Sequence, residues 1–368
     1  MKILIPITAF DRAGGSRVLS ELASHWSDAG HEVNFLVDIR SKPPYFPTRA
    51  KIIRFDKFGK ITRTDQQASL SLDGGKLASV WVRMWLALSR IGSDYDVILA
   101  NHSLTTYPIA FARTGSARKW YYIQAYEPEY YGFIKGFRGG VLEVLAAFSY
   151  RFRFHQVANA PIYIGYKGIR ANQWVPPGID FKLFRLRELP PVFDENRTII
   201  IGTIGRKELT KGTADVLAAF EMLAARNSRI SLSVAFGNLP KNWHHPRANI
   251  IMPNGDAELA AWYRSIDILI APGTVQLGAC HYPVLEAMAS GTPVITTGYL
   301  PADADNSWIV PVHSPKAIVD AVQDIIFLDA QKLNEKVALA TVAVARFNWK
   351  CVANDFLKLF SELPKCQS

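Results

Sequence analysis

Glu286 is the one ionisable acid in HYPVLEAMASGTPVI, residues 281–295. Pro283 suits the first turn of a helix, and Gly291 with Pro293 suits its end, so the segment reads as a short helix followed by a strand near Val294. Val284, Leu285, Ala287 and Met288 would cover most of that helix with apolar groups, which buries the carboxylate. A buried carboxylate needs a partner. Two kinds fit: protein groups, such as an arginine or the free N–H groups of another helix, or the hydroxyls of a bound molecule. Tyr282, Ala289 and Ser290 share the face of Glu286, and the latter two are small enough to admit a ligand to the backbone.

A second stretch, GTIGRKELTKGTADVLAAF (residues 202–220), places the cations Arg206 and Lys211 between a strand and a helix. The strand ends at Gly205, Arg206 and Lys211 lie on the connecting loop, and Thr213 is the expected N-cap. Cations beside the N–H groups of a helix start make an anion site whose spacing suits a diphosphate better than one carboxylate. Two solvated loop residues would look the same in sequence. In AFDRAGGSRVLSEL (residues 9–22), Gly14 and Gly15 would let a phosphate approach the backbone at another helix start, and a plain structural turn explains the pair equally well. Neither stretch is a GxGxxG fingerprint or a P-loop.

The elements that must hold these groups alternate regularly. KILIPITAF, then the helical SRVLSELASHWSDAG, then EVNFLVD form a strand, helix, strand unit of parallel-crossover size. DVILAN, KWYYIQA and QVANAP extend the first sheet. After the proline-rich and charged VPPGIDFKLFRLRELPPVFDENR the pattern restarts with TIIIGTIG, TADVLAAFEMLAARN, ISLSVAFG, DAELAAWYRS and IDILIAP. The expectation is α/β: two doubly wound, Rossmann-like domains with parallel sheets, residues 1–185 and 186–345, and a C-terminal helix in 346–368 packing back toward the first domain. A chain of 368 residues suits two cores. Ligands of such sheets bind beyond the strand carboxyl ends, here in a cleft facing both domains.

Composition narrows the classes. The chain is 49% hydrophobic and 20% charged, as globular proteins are. No apolar run reaches the ~18 residues of a spanning helix; VWVRMWLALSRIG is interrupted by Arg83. The opening MKILIPITAF reads as a first strand and not a signal peptide. The three cysteines, Cys280, Cys351 and Cys366, lack metal or redox spacing, which favours a reducing, cytoplasmic setting. The net charge of +10 divides into +11 for residues 1–190 and −1 for residues 191–368. That basic half either meets something anionic, such as a membrane face or a lipid-linked phosphate, or is simply a solvated surface. Lys135, Arg138, Arg151 and Arg153 alternate with aromatics in YYGFIKGFRGGVLEVLAAFSYRFRF, the pattern of an interfacial or acceptor surface or of a core helix with exposed arginines. No nucleic-acid-reading motif accompanies the basic residues.

The order of AGGS, VPPGIDFKLF, GTIGRKELTKG, VAFG, YRSIDILIAPG and HYPVLEAMASGTPVITT resembles the glycosyltransferase family 4 group of GT-B fold enzymes, over roughly residues 1–350. WYYIQAYEPEYY and CHYPVLEAM further resemble a branch with bacterial rhamnosyltransferases that build surface polysaccharides. The resemblance implies a retaining transferase that moves a sugar, rhamnose or another hexose, from a nucleoside-diphosphate sugar to a glycan or lipid-linked glycan. It implies no cofactor and no metal, with a leaving-group phosphate oxygen helping to take the acceptor proton. Arg206 and Lys211 match the cationic pair that neutralises the diphosphate, and Glu286 matches the glutamate that binds the ribose. Gly14 and Gly15 match the glycine loop near the donor phosphate, and His102, after DVILAN, matches a histidine near the donor sugar. Gly205, His281 and Tyr282 complete the expected donor side; Gln124 and Glu127, after WYYI, are acceptor-side candidates or simply helix-start residues.

One position departs from the family. Eight residues before Glu286 the family has a second glutamate that contacts the sugar, and here Gly278 stands. Backbone amides of residues 279–281, or His281 itself, would have to replace it; a deoxy sugar fits such a site, as does a weakened or non-catalytic relative. An epimerase or phosphorylase of the same fold is the other alternative. Adjacent His244 and His245 do not make a metal pair, and Cys280 beside His281 lacks an oriented base.

Overall fold

The computed structural model describes residues 1–11, 13–62, 79–188, 191, 193–194 and 196–362. The chain divides into two compact units: Met1–Gly178 with Trp349–Ser368, and Ile179–Asn348.

The first unit runs β1 (Lys2–Pro6), α1 (Gly14–Asp28), β2 (Glu32–Asp38), β3 (Lys51–Phe55), β4 (Ile61–Thr62), α2 (Val80–Ile91), β5 (Val97–Ala100), α3 (Thr106–Phe111), β6 (Arg118–Ile123), α4 (Glu127–Gly132), α5 (Phe137–Ser149) and β7 (His155–Ala158). Its sheet has the order β4-β3-β2-β1-β5-β6-β7, parallel throughout except for β3 with β4. The apolar runs become central strands covered on both faces, as parallel strands are: Ile3, Leu4, Ile5, Val97, Ile98 and Ala100 are fully or almost fully buried. Arg83, which breaks the apolar pattern of α2, is itself buried and forms an ion pair with Asp38 at the end of β2. Burial alone would raise the Asp38 pKa, but hydrogen bonds to Arg40 and the charges of Arg83 and Arg40 hold it below the usual carboxylate range.

The second unit runs β8 (Ile199–Ile204), α6 (Thr213–Arg226), β9 (Ile230–Ala235), β10 (Ala248–Ile251), α7 (Asp256–Ser265), β11 (Ile268–Ala271), α8 (Tyr282–Ala289), β12 (Val294–Thr296), β13 (Trp308–Ile309), α9 (Pro315–Phe327) and α10 (Ala330–Val344). Its six strands are all parallel, in the order β10-β9-β8-β11-β12-β13. The core joins Ile201, Phe220, Val234 and Ile270 to Val319 and Val322 of α9. Asp267, fully buried, fastens the entry of β8: one carboxylate oxygen accepts from Arg197 at 2.5 Å and the other from the Ile200 amide at 2.8 Å.

The last helix, α11 (Trp349–Ser361), belongs to the first unit. It lies against α1, where the Trp26 indole donates to the Ala353 carbonyl at 3.1 Å and packs edge-on to Phe356 and Phe360. Residues 179–185, on the first side of the boundary expected from sequence, make their contacts in the second unit. Phe184 is fully buried against Tyr263, and Arg264 donates to the Leu183 carbonyl.

Candidate functional site: a cationic switch point

In a doubly wound sheet the loops leaving two neighbouring strands diverge where the winding reverses, and the crevice they leave is the natural ligand position. In the second unit the reversal falls between β8 and β11, since β9 and β10 extend one way and β12 and β13 the other. The loop after β8 carries Arg206 and Lys211; the loop after β11 leads to His281 and α8.

The two loops are fastened to each other. Thr274 donates its N–H to the Thr210 carbonyl at 2.9 Å. Gly212, at φ +71°, lies so close to Pro272 that a Cβ would sit 1.7 Å from its carbonyl oxygen. No other residue fits there. Gly205 is held as tightly, because a Cβ there would lie 1.6 Å from the Gly237 carbonyl oxygen. Asn238 donates to the Gly205 carbonyl at 3.2 Å.

Thr213 is not the N-cap that the sequence suggests. Gly212 takes that place, and Thr213 is the first helical residue. Its hydroxyl instead accepts from the Arg206 N–H at 3.2 Å and donates to the Arg206 carbonyl at 3.1 Å. The left-handed Gly212 turns the chain so sharply that the Thr213 side chain points back along the loop rather than along α6.

Electrostatics bring the predicted residues together. Arg206 is exposed. The pKa of Lys211 is lowered by burial and then by the charge of Arg206, with Glu208 opposing. His281 is held well below its ordinary value of 6.5 by burial, then by Lys211 and Arg206. The ring is therefore neutral near pH 7, and its buried Nδ1 has no hydrogen-bond partner. It rests against Tyr299, ring centroids 4.7 Å apart, while the Tyr299 hydroxyl donates to the Val275 carbonyl at 2.7 Å. Two crowded cations and an unsatisfied neutral imidazole form a site whose charge an anion would relieve.

His281 is also the N-cap of α8, so the positive end of that helix dipole faces the same loop. Glu286 lies on α8, four residues after Tyr282 and on its face, and is 2% exposed. The carboxylate is as buried as the sequence implied. Ala289 and Ser290 differ from expectation: at 2% and 0% exposed they are packed inside the unit rather than open to a ligand. Gly278 has φ +89° and donates its N–H to the Gly298 carbonyl at 2.9 Å, so the backbone at the departing position is shaped for glycine. The Cys280 thiol is pushed up to about 12 by burial, which leaves little nucleophilic thiolate at neutral pH. His245 accepts from the Arg247 N–H and packs on Phe220, a structural role.

The first unit reverses its winding between β1 and β5. The glycine loop follows β1, and His102 follows β5. Gly14 and Gly15 open α1, and the Gln124 side chain reaches the Gly15 carbonyl at 3.5 Å. His102 Nδ1 accepts from the Leu104 N–H at 3.1 Å, which puts the proton of the neutral ring on Nε2. That Nε2 lies 3.3 Å from the Glu127 carboxylate and 3.2 Å from the Tyr131 hydroxyl. Glu127 also accepts from the Ser103 N–H at 2.9 Å and from the Ser103 hydroxyl. Burial and then the Glu127 charge push Tyr131 up to about 12. Ser103 and Tyr131 were not singled out in the sequence, where nothing marks them as neighbours of His102.

The chain is similar to several known proteins. Residues 198–327 match the family described as Glycosyl transferases group 1. The chain is 30% identical over 224 residues to D-inositol 3-phosphate glycosyltransferase of Corynebacterium jeikeium, covering 52% of this chain and 51% of that protein. It is 31% identical over 113 residues to phosphatidyl-myo-inositol mannosyltransferase of Mycobacterium leprae, covering 28% and 29%. The chain thus spans about half, or less, of the length of these curated relatives. Sucrose-phosphate synthase from Thermosynechococcus elongatus superposes with a TM-score of 0.75 at 17% identity, over 98% of both chains. Anabaena Alr3699/HepE in complex with UDP and glucose superposes at 0.70 and 17% identity, over 99% of this chain and 100% of that one. The fold is therefore the GT-B pair of parallel α/β domains expected from sequence, and the match to the glycosyl transferases group 1 family lies within the second unit.

Proposed function

We propose that this chain is a retaining glycosyltransferase that uses a nucleoside-diphosphate sugar and delivers the sugar, rhamnose or another hexose, to a glycan or lipid-linked glycan in polysaccharide biosynthesis. The observation that carries this reading is the convergence of Arg206, Lys211 and the unsatisfied His281 at the switch point of the second sheet. A diphosphate would supply the negative charge these groups lack. The relative whose structure holds UDP and glucose binds a ligand of that class.

In this reading Arg206 and Lys211 neutralise the diphosphate as the bond from the anomeric carbon to phosphate oxygen breaks, and the N-terminus of α8 adds its dipole. Glu286 takes the ribose hydroxyls. His281 Nδ1 bonds a sugar hydroxyl, the work an acid at position 278 would otherwise do. The acceptor hydroxyl attacks on the face the diphosphate leaves, and its proton passes to the departing phosphate oxygen, so configuration is kept. Within the first unit, Gly14 and Gly15 after β1 and His102 after β5 are the candidate donor-side groups, with Gln124 and Glu127 as acceptor-side candidates. Among the described residues no helix is long and apolar enough to cross a membrane, and the chain works as a peripheral protein on a cytoplasmic membrane face.

Calorimetric titration of UDP, dTDP and GDP tests the donor side, followed by a donor-sugar screen for release of nucleoside diphosphate. Arg206→Ala should weaken diphosphate binding about tenfold to a hundredfold, the worth of a charge-assisted contact. Glu286→Gln should weaken it for nucleoside diphosphate but not for pyrophosphate. No measurable binding of any nucleoside diphosphate to the wild-type protein would overturn the reading.

A further inference from the structure

Helix α5 is built inside out. Its buried positions are Gly139, Ala146 and Ser149, all small, while Phe137, Val141, Val144, Leu145 and Phe148 are exposed. At 100° per residue these five fall on one arc, opposite the buried strip. A helix that serves only the core shows the reverse pattern. Phe137 is 90% exposed and Val144 68%, and the apolar surface continues into Phe133 and Ile134 of the preceding loop. Gly139 lets that loop close on the helix, since a Cβ there would lie 1.9 Å from the Ile134 carbonyl oxygen.

The rim of the face is positive. Lys135 and Arg138 flank one end, Arg151 and Arg153 the other, and all four are exposed. Arg151 lies over the Phe148 ring, 5.7 Å from its centroid, so its stem follows the apolar surface while its charge stays at the edge. The one acid of the helix, Glu143, approaches Gly132 and Tyr126 on the α4 side.

We infer that the exposed face of α5 is the surface by which the first unit seats on an anionic lipid bilayer, with Phe137, Val144 and Phe148 in the acyl boundary and the four cations among the headgroups. This rests on the peripheral-membrane part of the reading above and names the surface responsible. A ring of cations around an apolar arc matches an anionic interface in both respects. A second copy of the chain fits less well: a two-fold contact through this face would set the same four cations against their equivalents.

The test needs no sugar donor. Co-sedimentation with phosphatidylcholine vesicles holding about one-third phosphatidylglycerol should exceed that with pure phosphatidylcholine by at least about tenfold and fall with added salt. The pair Phe137→Ser and Val144→Ser, and separately Arg138→Glu with Arg151→Glu, should each reduce it by at least about tenfold, with UDP affinity and thermal midpoint unchanged. Two lipid-independent variant sets keep the apolar and charged parts separable. Equal or absent sedimentation with the two lipids overturns the inference. So does a concentration-dependent dimer that the serine pair dissolves, which would make the occupant a second copy. Loss of UDP binding by the wild type with vesicle binding intact would defeat the donor reading and leave this one standing.

Discussion

The Thr213 hydroxyl holds both backbone polar groups of Arg206, accepting from its N–H at 3.2 Å and donating to its carbonyl at 3.1 Å. Seven residues of loop are thereby closed into a ring that sets where the Arg206 guanidinium and the Lys211 ammonium begin. Thr213→Val keeps the shape and removes both bonds. Nucleoside-diphosphate affinity should fall about tenfold, the worth of one to two net hydrogen bonds, and Thr213→Ser should restore most of it. Calorimetry on the three proteins decides the matter; equal affinity in Thr213→Val would mean the ring does not position the cations.

Gly278, at the position where the sequence resemblance implies a glutamate, has a φ of +89°. Restoring the acid is therefore not a repair. Gly278→Glu should lower stability by about 1–2 kcal/mol, because a side chain with a Cβ is strained in that region, and should not raise the transfer rate. Urea unfolding together with a donor-turnover assay tests both halves. A more active and equally stable variant would show that the loop readily accommodates an acid.

These two cases show what was legible in the sequence. Strand and helix order followed from long apolar runs, because central parallel strands such as KILIP and ILIA are covered on both faces. The two edge strands of the second sheet were missed for the same reason: β10 is largely exposed and β13 is only two residues long. Arg206, Lys211 and Glu286 stood out as charge in places where charge is costly or oriented. Their supports did not. The contact of Gly212 with Pro272 spans sixty residues, and the Thr213 bonds depend on the left-handed turn that Gly212 makes. Likewise Ser103 and Tyr131 meet Glu127 and His102 only because β5 and β6 are neighbours.

Arg83 and Asp38 form a buried pair in the first unit, far in sequence from any proposed ligand group. Arg83→Met leaves Asp38 with Arg40 alone, so stability should fall by about 3 kcal/mol, at the low end for a broken buried pair. The double variant Arg83→Met with Asp38→Leu should recover part of the loss, since no buried charge is then left behind and Arg40, half-exposed, keeps its contact with water. Chemical denaturation of the single and double variants measures the coupling. Additive losses in the double variant would remove the pair from the account of this core.

His281 carries the clearest pH signature of the proposed site. Its folded pKa lies below the ordinary 6.5 because burial, Lys211 and Arg206 all disfavour its charged form. The unfolded chain, with the ordinary value, therefore takes up the proton first as pH falls. The stability that this neutral ring contributes is fully present above pH 6.5 and is lost below it, at up to about 1.4 kcal/mol per pH unit for one proton. His281→Gln should flatten that limb while leaving unchanged the loss below pH 3.8 that the depressed Asp38 produces. A bound diphosphate should shift the wild-type limb as well, because an anion between Arg206 and Lys211 offsets the charges that hold the ring neutral. Unfolding midpoints from pH 3 to pH 8, with and without UDP, measure these effects; an unchanged limb between pH 4 and pH 6.5 in His281→Gln would mean that burial and the two cations do not hold the imidazole below its ordinary value.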